Sequence, residues 1–139
     1  MNDVLSRIVE RWRLKHIDLL PAANEEQLKA VWHRLDGQLS ADVTAFYGVF
    51  GGYVDADMDD RHLSLWPVEK IVTENEIIRI RGVLFAYFLA FSHGYYFKFE
   101  SPSTSSVWVD WFDGRDEQVA VSVEDFLVRY LDDPISLWL

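Results

Sequence analysis

Apolar residues recur at helical spacing three times in the first third of the chain. In "DVLSRIVERW", Val4, Leu5, Ile8, Val9 and Trp12 share one face, with Asp3 placed to cap. In "NEEQLKAVWHRL", Leu28, Val31, Trp32 and Leu35 follow the i, i+3, i+4, i+7 pattern behind a capping-box pair, Asn24 and Gln27. In "SADVTAFYGVFGG", Ser40 is the expected cap and Val43, Phe46, Tyr47 and Phe50 form the stripe. Gly51 and Gly52 end that helix. Leu20-Pro21 and Asp36-Gly37 punctuate the gaps.

The period then shortens towards two. "LSLW" reads as a short strand stopped by Pro67, and "VLFAYFLAF" as a central strand covered on both faces. Ser92-His93-Gly94 reads as the turn after it. "YYFKFE" alternates, with Tyr95, Phe97 and Phe99 on one face and Tyr96, Lys98 and Glu100 on the other. "SPSTSS" is a turn. "VWVDWF" places Val107, Val109 and Trp111 together and sets Trp108 opposite, with one of the two tryptophans expected in the core. Asp113-Gly114 signals a hairpin into "EQVAV". "SVEDFLVRYLDD" restores the helical period through Val123, Phe126, Leu127, Tyr130 and Leu131, behind Ser122 and Asp125. Helices, then a meander, then a helix predict an α+β fold. Its sheet would be mostly antiparallel, of about four to six strands, with N-terminal helices and a C-terminal helix packed on it.

With 139 residues the chain fits one domain, and half of its residues are hydrophobic. A chain of this length buries about 68% of its unfolded surface, enough for one core. There is no cysteine, which removes disulfides and thiolate chemistry. The N-terminal stretch is broken by charge and does not read as a signal peptide, and no apolar run approaches the ~20 residues of a membrane helix. These features predict a cytoplasmic protein that engages neither membrane nor nucleic acid. The net charge of -10 repels polyanions and favours a basic partner. Charge is uneven: Arg7, Arg11, Arg13 and Lys15 make the first segment basic, whereas eight acids and two arginines occupy the span from Asp110 to Asp133.

The order of signals resembles the SUKH superfamily, the Smi/Knr-type domain of bacterial immunity proteins. The residues that carry the resemblance are the Glu-Glu helix start at Asn24 to Leu28, "LSADVTAFYGVFGG" (Leu39 to Gly52), "LSLWPVEKI" (Leu63 to Ile71), "VWVDWFDG" and "VSVEDFLVRYLDD". The resemblance runs from Asn24 to Asp133 within a single domain, 1–139. Ser40 stands where the family usually has proline, and "VFGG" replaces its usual Asn-Gly helix end. The resemblance implies no shared catalytic centre. It implies an immunity protein that neutralises a cognate toxin by direct stoichiometric binding, with an acidic surface facing a basic site such as that of a nuclease. The alternative within the same fold is a non-catalytic regulatory or scaffold protein. Either would be a monomer or a homodimer without a cofactor.

The aspartates of "DADMDD", Asp55, Asp57, Asp59 and Asp60, are the densest chemical feature. Asp55, Asp57 and Asp59 open like a calcium loop, but Asp60 sits where the loop needs glycine and Trp66 where it needs a bidentate glutamate. The remaining readings are a solvated loop or a contact surface for a basic partner. A second acidic group, Asp113, Asp116 and Glu117, frames aromatics that are either partly exposed or covered by a helix, and joins the partner-binding candidates. His16, His33, His62 and His93 show no metal-ligand spacing, though His62 could pair with a neighbouring aspartate. Ser92 and His93 do not form a nucleophile elbow, and the glycines at 48, 51 and 52 do not form a phosphate loop. No residue is assigned a catalytic or metal-binding role.

Overall fold

The computed structural model describes every residue except Arg79, Ile80, Ala90 and Phe91. Three helices come first: α1 (Asn2–Leu14), α2 (Glu25–Arg34) and α3 (Ala41–Tyr47). Strand β1 (Leu63–Leu65) and helix α4 (Val68–Ile77) follow. The meander is β2 (Val83–Phe88), β3 (His93–Ser101), β4 (Thr104–Asp110) and β5 (Asp116–Ala120). Helix α5 (Val123–Asp132) and a 3₁₀ turn (Pro134–Leu137) complete the chain. The five strands form one antiparallel sheet in sequence order, with β3 at its centre and β1 and β5 at its edges. This is the α+β architecture that the patterning predicts.

The apolar stripes face inward as the spacing requires. Ile8, Trp12, Leu28, Val43, Phe46, Tyr47 and Phe50 are sealed from solvent, but Val9 lies at the exposed rim of α1. Trp12, Phe46, Tyr47, Phe50 and Tyr53 pack as one aromatic cluster, with Trp12 and Phe50 at 4.4 Å between centroids. Above it Phe85 stacks on Phe97 at 3.8 Å and meets Phe126 of α5 edge-on. Burying large aromatics of this kind supplies the dominant share of folding free energy.

Several local expectations are corrected. Asp3 lies in the first turn of α1, where its charge suits the helix dipole, but it caps nothing. The Asn24–Gln27 capping box forms as expected. Ser40 sits at the N-cap of α3, yet its hydroxyl bonds the side chains of Asp42 and Ser105 instead of a backbone amide of the helix. Asp42 is the junction: its carboxylate accepts from the amides of Ser105 and Val123, joining the starts of α3, β4 and α5. Helix α4 falls outside the sequence expectation. Its inner face holds only Ile71 and Asn75 fully buried, and Asn75 bridges to both backbone groups of Leu84 on β2. Strand β2 is an interior strand buried on both alternating faces, as expected, but it is shorter than the apolar run. Its expected continuation turns at Leu89, and Ala90 and Phe91 lie outside the described residues. His93 and Gly94 are not a turn; they open β3 and are buried. Trp108 and Trp111 are both half-buried, so neither is the expected core residue.

His93 sits in an apolar niche, stacked on Phe88 at 4.7 Å with Trp111 beyond it. The Tyr95 hydroxyl donates its one proton to the carbonyl of Leu137, so His93 Nε2, 3.0 Å from that hydroxyl, carries the hydrogen and donates. Burial lowers the pKa of His93 because the niche disfavours the imidazolium. The unfolded chain therefore takes up this proton first as pH falls through the ordinary value of 6.5, and folding loses stability. Urea unfolding of the native chain will show a midpoint that drops between pH 7.5 and 5.5. His93→Gln will flatten that pH dependence; an unchanged slope would remove His93 as its source.

Candidate functional site

The segment from Gly51 to His62 is tied down on both sides. The amide of Tyr53 donates to Leu65 and that of Asp59 to Leu63, so the segment lines the outer edge of β1. Val54 donates to Asp18 and Ser64 Oγ to the Ala56 carbonyl. Gly52 makes the approach feasible. Its φ is +110°, and a Cβ there would lie 2.4 Å from the Trp66 carbonyl oxygen, so only glycine fits. Asp55 and Ala56 both adopt the left-handed conformation, which reverses the chain and turns the next side chains in different directions.

The four aspartates consequently separate by role. Asp59 is 5% exposed. Its Oδ2 accepts the Tyr53 hydroxyl at 2.9 Å and the Tyr130 hydroxyl at 2.5 Å, while Oδ1 accepts the amides of Arg61 and Leu63. Asp59 is thus a structural acceptor withdrawn from the surface, contrary to its place among the contact candidates. Burial, reinforced by the nearby carboxylate, pushes the hydroxyls of Tyr53 and Tyr130 well above the ordinary tyrosine range, so both remain protonated donors. The guanidinium groups of Arg11 and Arg61 lie 5.2 and 5.0 Å from the centre of the Tyr130 ring.

Asp60 is engaged from α1. Arg11 Nη2 reaches its two oxygens at 2.9 and 3.0 Å, and Lys15 Nζ is 3.6 Å away. Partial burial alone would raise the Asp60 pKa, but the Arg11 hydrogen bond and the two cations outweigh it and hold it low. Burial likewise opposes the Arg11 charge, and Tyr130, Asp60 and Asp59 overcome it to raise the Arg11 pKa. Asp55 and Asp57 point outward, and among the described residues neither is in an ion pair; Asp57 accepts the Met58 amide next to it. His62 is exposed, with its ring 6.4 Å from Phe88 and in no ion pair among the described residues. Asp59 and Asp60 being committed inward and to α1, the four carboxylates do not converge on a metal position.

The second acidic group lies at the β4–β5 hairpin. Asp113 pairs with Arg115 at 2.7 Å, and that hydrogen bond holds its pKa below the usual range. Arg115 in turn covers Trp111 at 5.4 Å. Asp116 accepts the Tyr96 hydroxyl at 2.7 Å. Glu117 is exposed on β5. The registers set both acidic groups at the same end of the sheet, since Leu63 opposes Phe88, Phe88 opposes His93, and Gly94, Asp110 and Asp116 align across β3, β4 and β5. They sit at opposite edges, however. Four strand spacings of about 4.8 Å put them on the order of 19 Å apart. They are two surfaces, not one.

Comparison of the chain with family models and with curated proteins finds no match. Among the described residues no group of three or more His, Asp or Glu side chains is placed to hold a metal ion, and no helix is long and apolar enough to cross a membrane.

The division of roles has a direct thermodynamic consequence. Asp59→Asn keeps the shape but weakens an anionic acceptor of four hydrogen bonds, and will cost about 3 kcal/mol in urea unfolding. The double substitution Asp55→Asn and Asp57→Asn will stay within about 0.5 kcal/mol of the native chain. Equal effects of the two variants would contradict the assignment.

Proposed function

We propose that this protein is an immunity protein of the SUKH kind, which neutralises a basic toxin by one-to-one contact through the acidic loop at the β1 edge. The observation that carries this reading is the outward placement of Asp55 and Asp57 on a loop fixed to the sheet by backbone hydrogen bonds on both sides. A rigid display of charge loses little conformational entropy on binding. Asp60, still half exposed beside Arg11 and Lys15, completes the rim. Asp59 supports this surface from beneath and makes no contact with the partner.

The net charge of -10 favours the same reading. An acidic face meeting a basic one raises association rates towards 10⁸–10⁹ M⁻¹s⁻¹ at low salt, an order-of-magnitude range that falls as salt screens the field. Carboxylates placed against arginine or lysine of a nuclease-like site would stand in for the phosphates of its substrate and exclude that substrate.

The test combines growth rescue with binding. The C-terminal domain encoded by the neighbouring gene is expressed with and without this chain, and the purified pair is titrated at several salt concentrations. The reading predicts rescue, a 1:1 complex, and association that slows with salt. Asp55→Asn with Asp57→Asn will slow association at least tenfold at low salt while the fold is retained. Toxicity without rescue or binding would overturn the immunity reading. Rescue with unchanged association by the double variant would move the contact away from the loop.

A further inference from the structure

The two edges of the sheet are finished differently. The β1 edge is covered by the Gly51–His62 segment. At the β5 edge, among the described residues, Glu117, Gln118 and Val119 make no backbone hydrogen bond beyond the ladder to β4. A row of unpaired amides and carbonyls at a sheet edge is a template for one more strand. Beside it runs a groove of about 430 Å³ between β5, α5 and the 3₁₀ turn. Its walls carry apolar side chains in water: Val121 at 67% exposure, Ile135 at 80% and Trp138 at 51%. Trp138 is held in place by Trp111, 5.5 Å away and edge-on. Apolar knobs of this size gathered beside an open edge mark an interaction surface.

The charges select the occupant. Glu117 is exposed and Asp125 borders the groove, where Arg129 is already paired with it at 3.0 Å. Asp113 and Asp116 stand at the hairpin end of the same strand. A second copy of this chain is disfavoured there. Antiparallel pairing of β5 with itself would crowd Asp116 and Glu117 of both copies, each copy carrying a charge of -10. The extra residue Val119, which has no partner between the Val107–Ala120 and Trp108–Gln118 pairs, also bends the strand. That bend blunts flat self-pairing but leaves the hairpin half of the edge open.

We propose that β5 receives an extended basic segment of a partner protein as a sixth strand. Strand alternation would bring lysine or arginine to Asp116, on the face of Tyr96 and Trp108, and set the intervening apolar residues beside Glu117 against Ile135 and Trp138, on the face of α5. Backbone pairing supplies affinity in this mode and alternate side chains supply selectivity. The surface lies across the sheet from the acidic loop, so the inference stands or falls independently of the toxin reading.

The probe is an N-acetylated eight-residue peptide of alternating lysine and valine, titrated into the isotopically labelled full chain and followed by amide NMR shifts. Its counterpart alternates glutamate and valine. The proposal predicts shifts concentrated in β5 and the Pro134–Leu137 turn for the lysine peptide, and at least tenfold weaker binding of the glutamate peptide. Ile135→Lys and Glu117→Lys, both at exposed positions, will each weaken the lysine peptide at least fivefold with unfolding curves unchanged. Shifts elsewhere, equal binding of both peptides, or indifference to both substitutions would overturn it. So would a dimer in sedimentation that protects the β5 amides, because a second copy would then own the edge.

Discussion

The buried carboxylate of Asp59 is the interaction on which the arrangement of the acidic loop, α5 and the β1 edge depends. Two hydroxyls and two amides converge on it, from the loop after α3, from α5 and from the entry to β1. An anion this deep in the fold is tolerable only because four donors replace its water. Each donor in turn belongs to an element with its own core contacts: Tyr53 packs on Trp12 and Phe50, and Tyr130 lies beneath two guanidinium groups. The carboxylate therefore registers α1, α5 and the sheet edge to one another. Neighbouring Asp60 repeats the theme at the surface by holding α1 through Arg11.

That anchoring shapes what the molecule presents. One edge of the sheet is sealed by a segment whose inward aspartate holds it and whose outward aspartates face solvent. The other edge ends in a bulged strand flanked by acids, with tryptophan and isoleucine exposed beside it. The structure therefore offers two acidic surfaces of different character, a rigid charged loop and an open strand with an apolar groove. A binding role suits both. On the readings proposed above, charge display would steer encounter at the first, and backbone pairing with apolar contact would favour residence at the second.

Much of the fold is legible in the sequence because it depends on period. The stripes through Leu28, Trp32, Val43, Phe46 and Phe126 are dense enough to identify helices, and the strand alternation and hairpin signals order the meander. Helix α4 escapes that logic. A buried asparagine occupies the position where an apolar residue would complete its stripe, and Asn75 earns burial only through its bonds to Leu84, which no local pattern reveals. The same limit applies to His93 and Gly94, whose turn-like composition conceals a strand start where a Cβ at 94 would meet Phe112. Within "DADMDD" all four aspartates look alike. What singles out Asp59 is a tyrosine seventy-one positions away, and what separates the two acidic groups is the width of the sheet. Asp42, joining three elements, likewise reads in sequence as an ordinary first-turn acid.

A double-mutant cycle between Asp59 and Tyr130 tests this account most directly. Unfolding free energies of Asp59→Asn, Tyr130→Phe and the pair would be measured in urea at neutral pH. If the carboxylate is the buried junction, the double variant will lose less than the sum of the singles, with a coupling of about 1–3 kcal/mol. Strict additivity would mean that the Tyr130 hydroxyl does not depend on Asp59, and that the acidic loop is held to the body of the protein by something else.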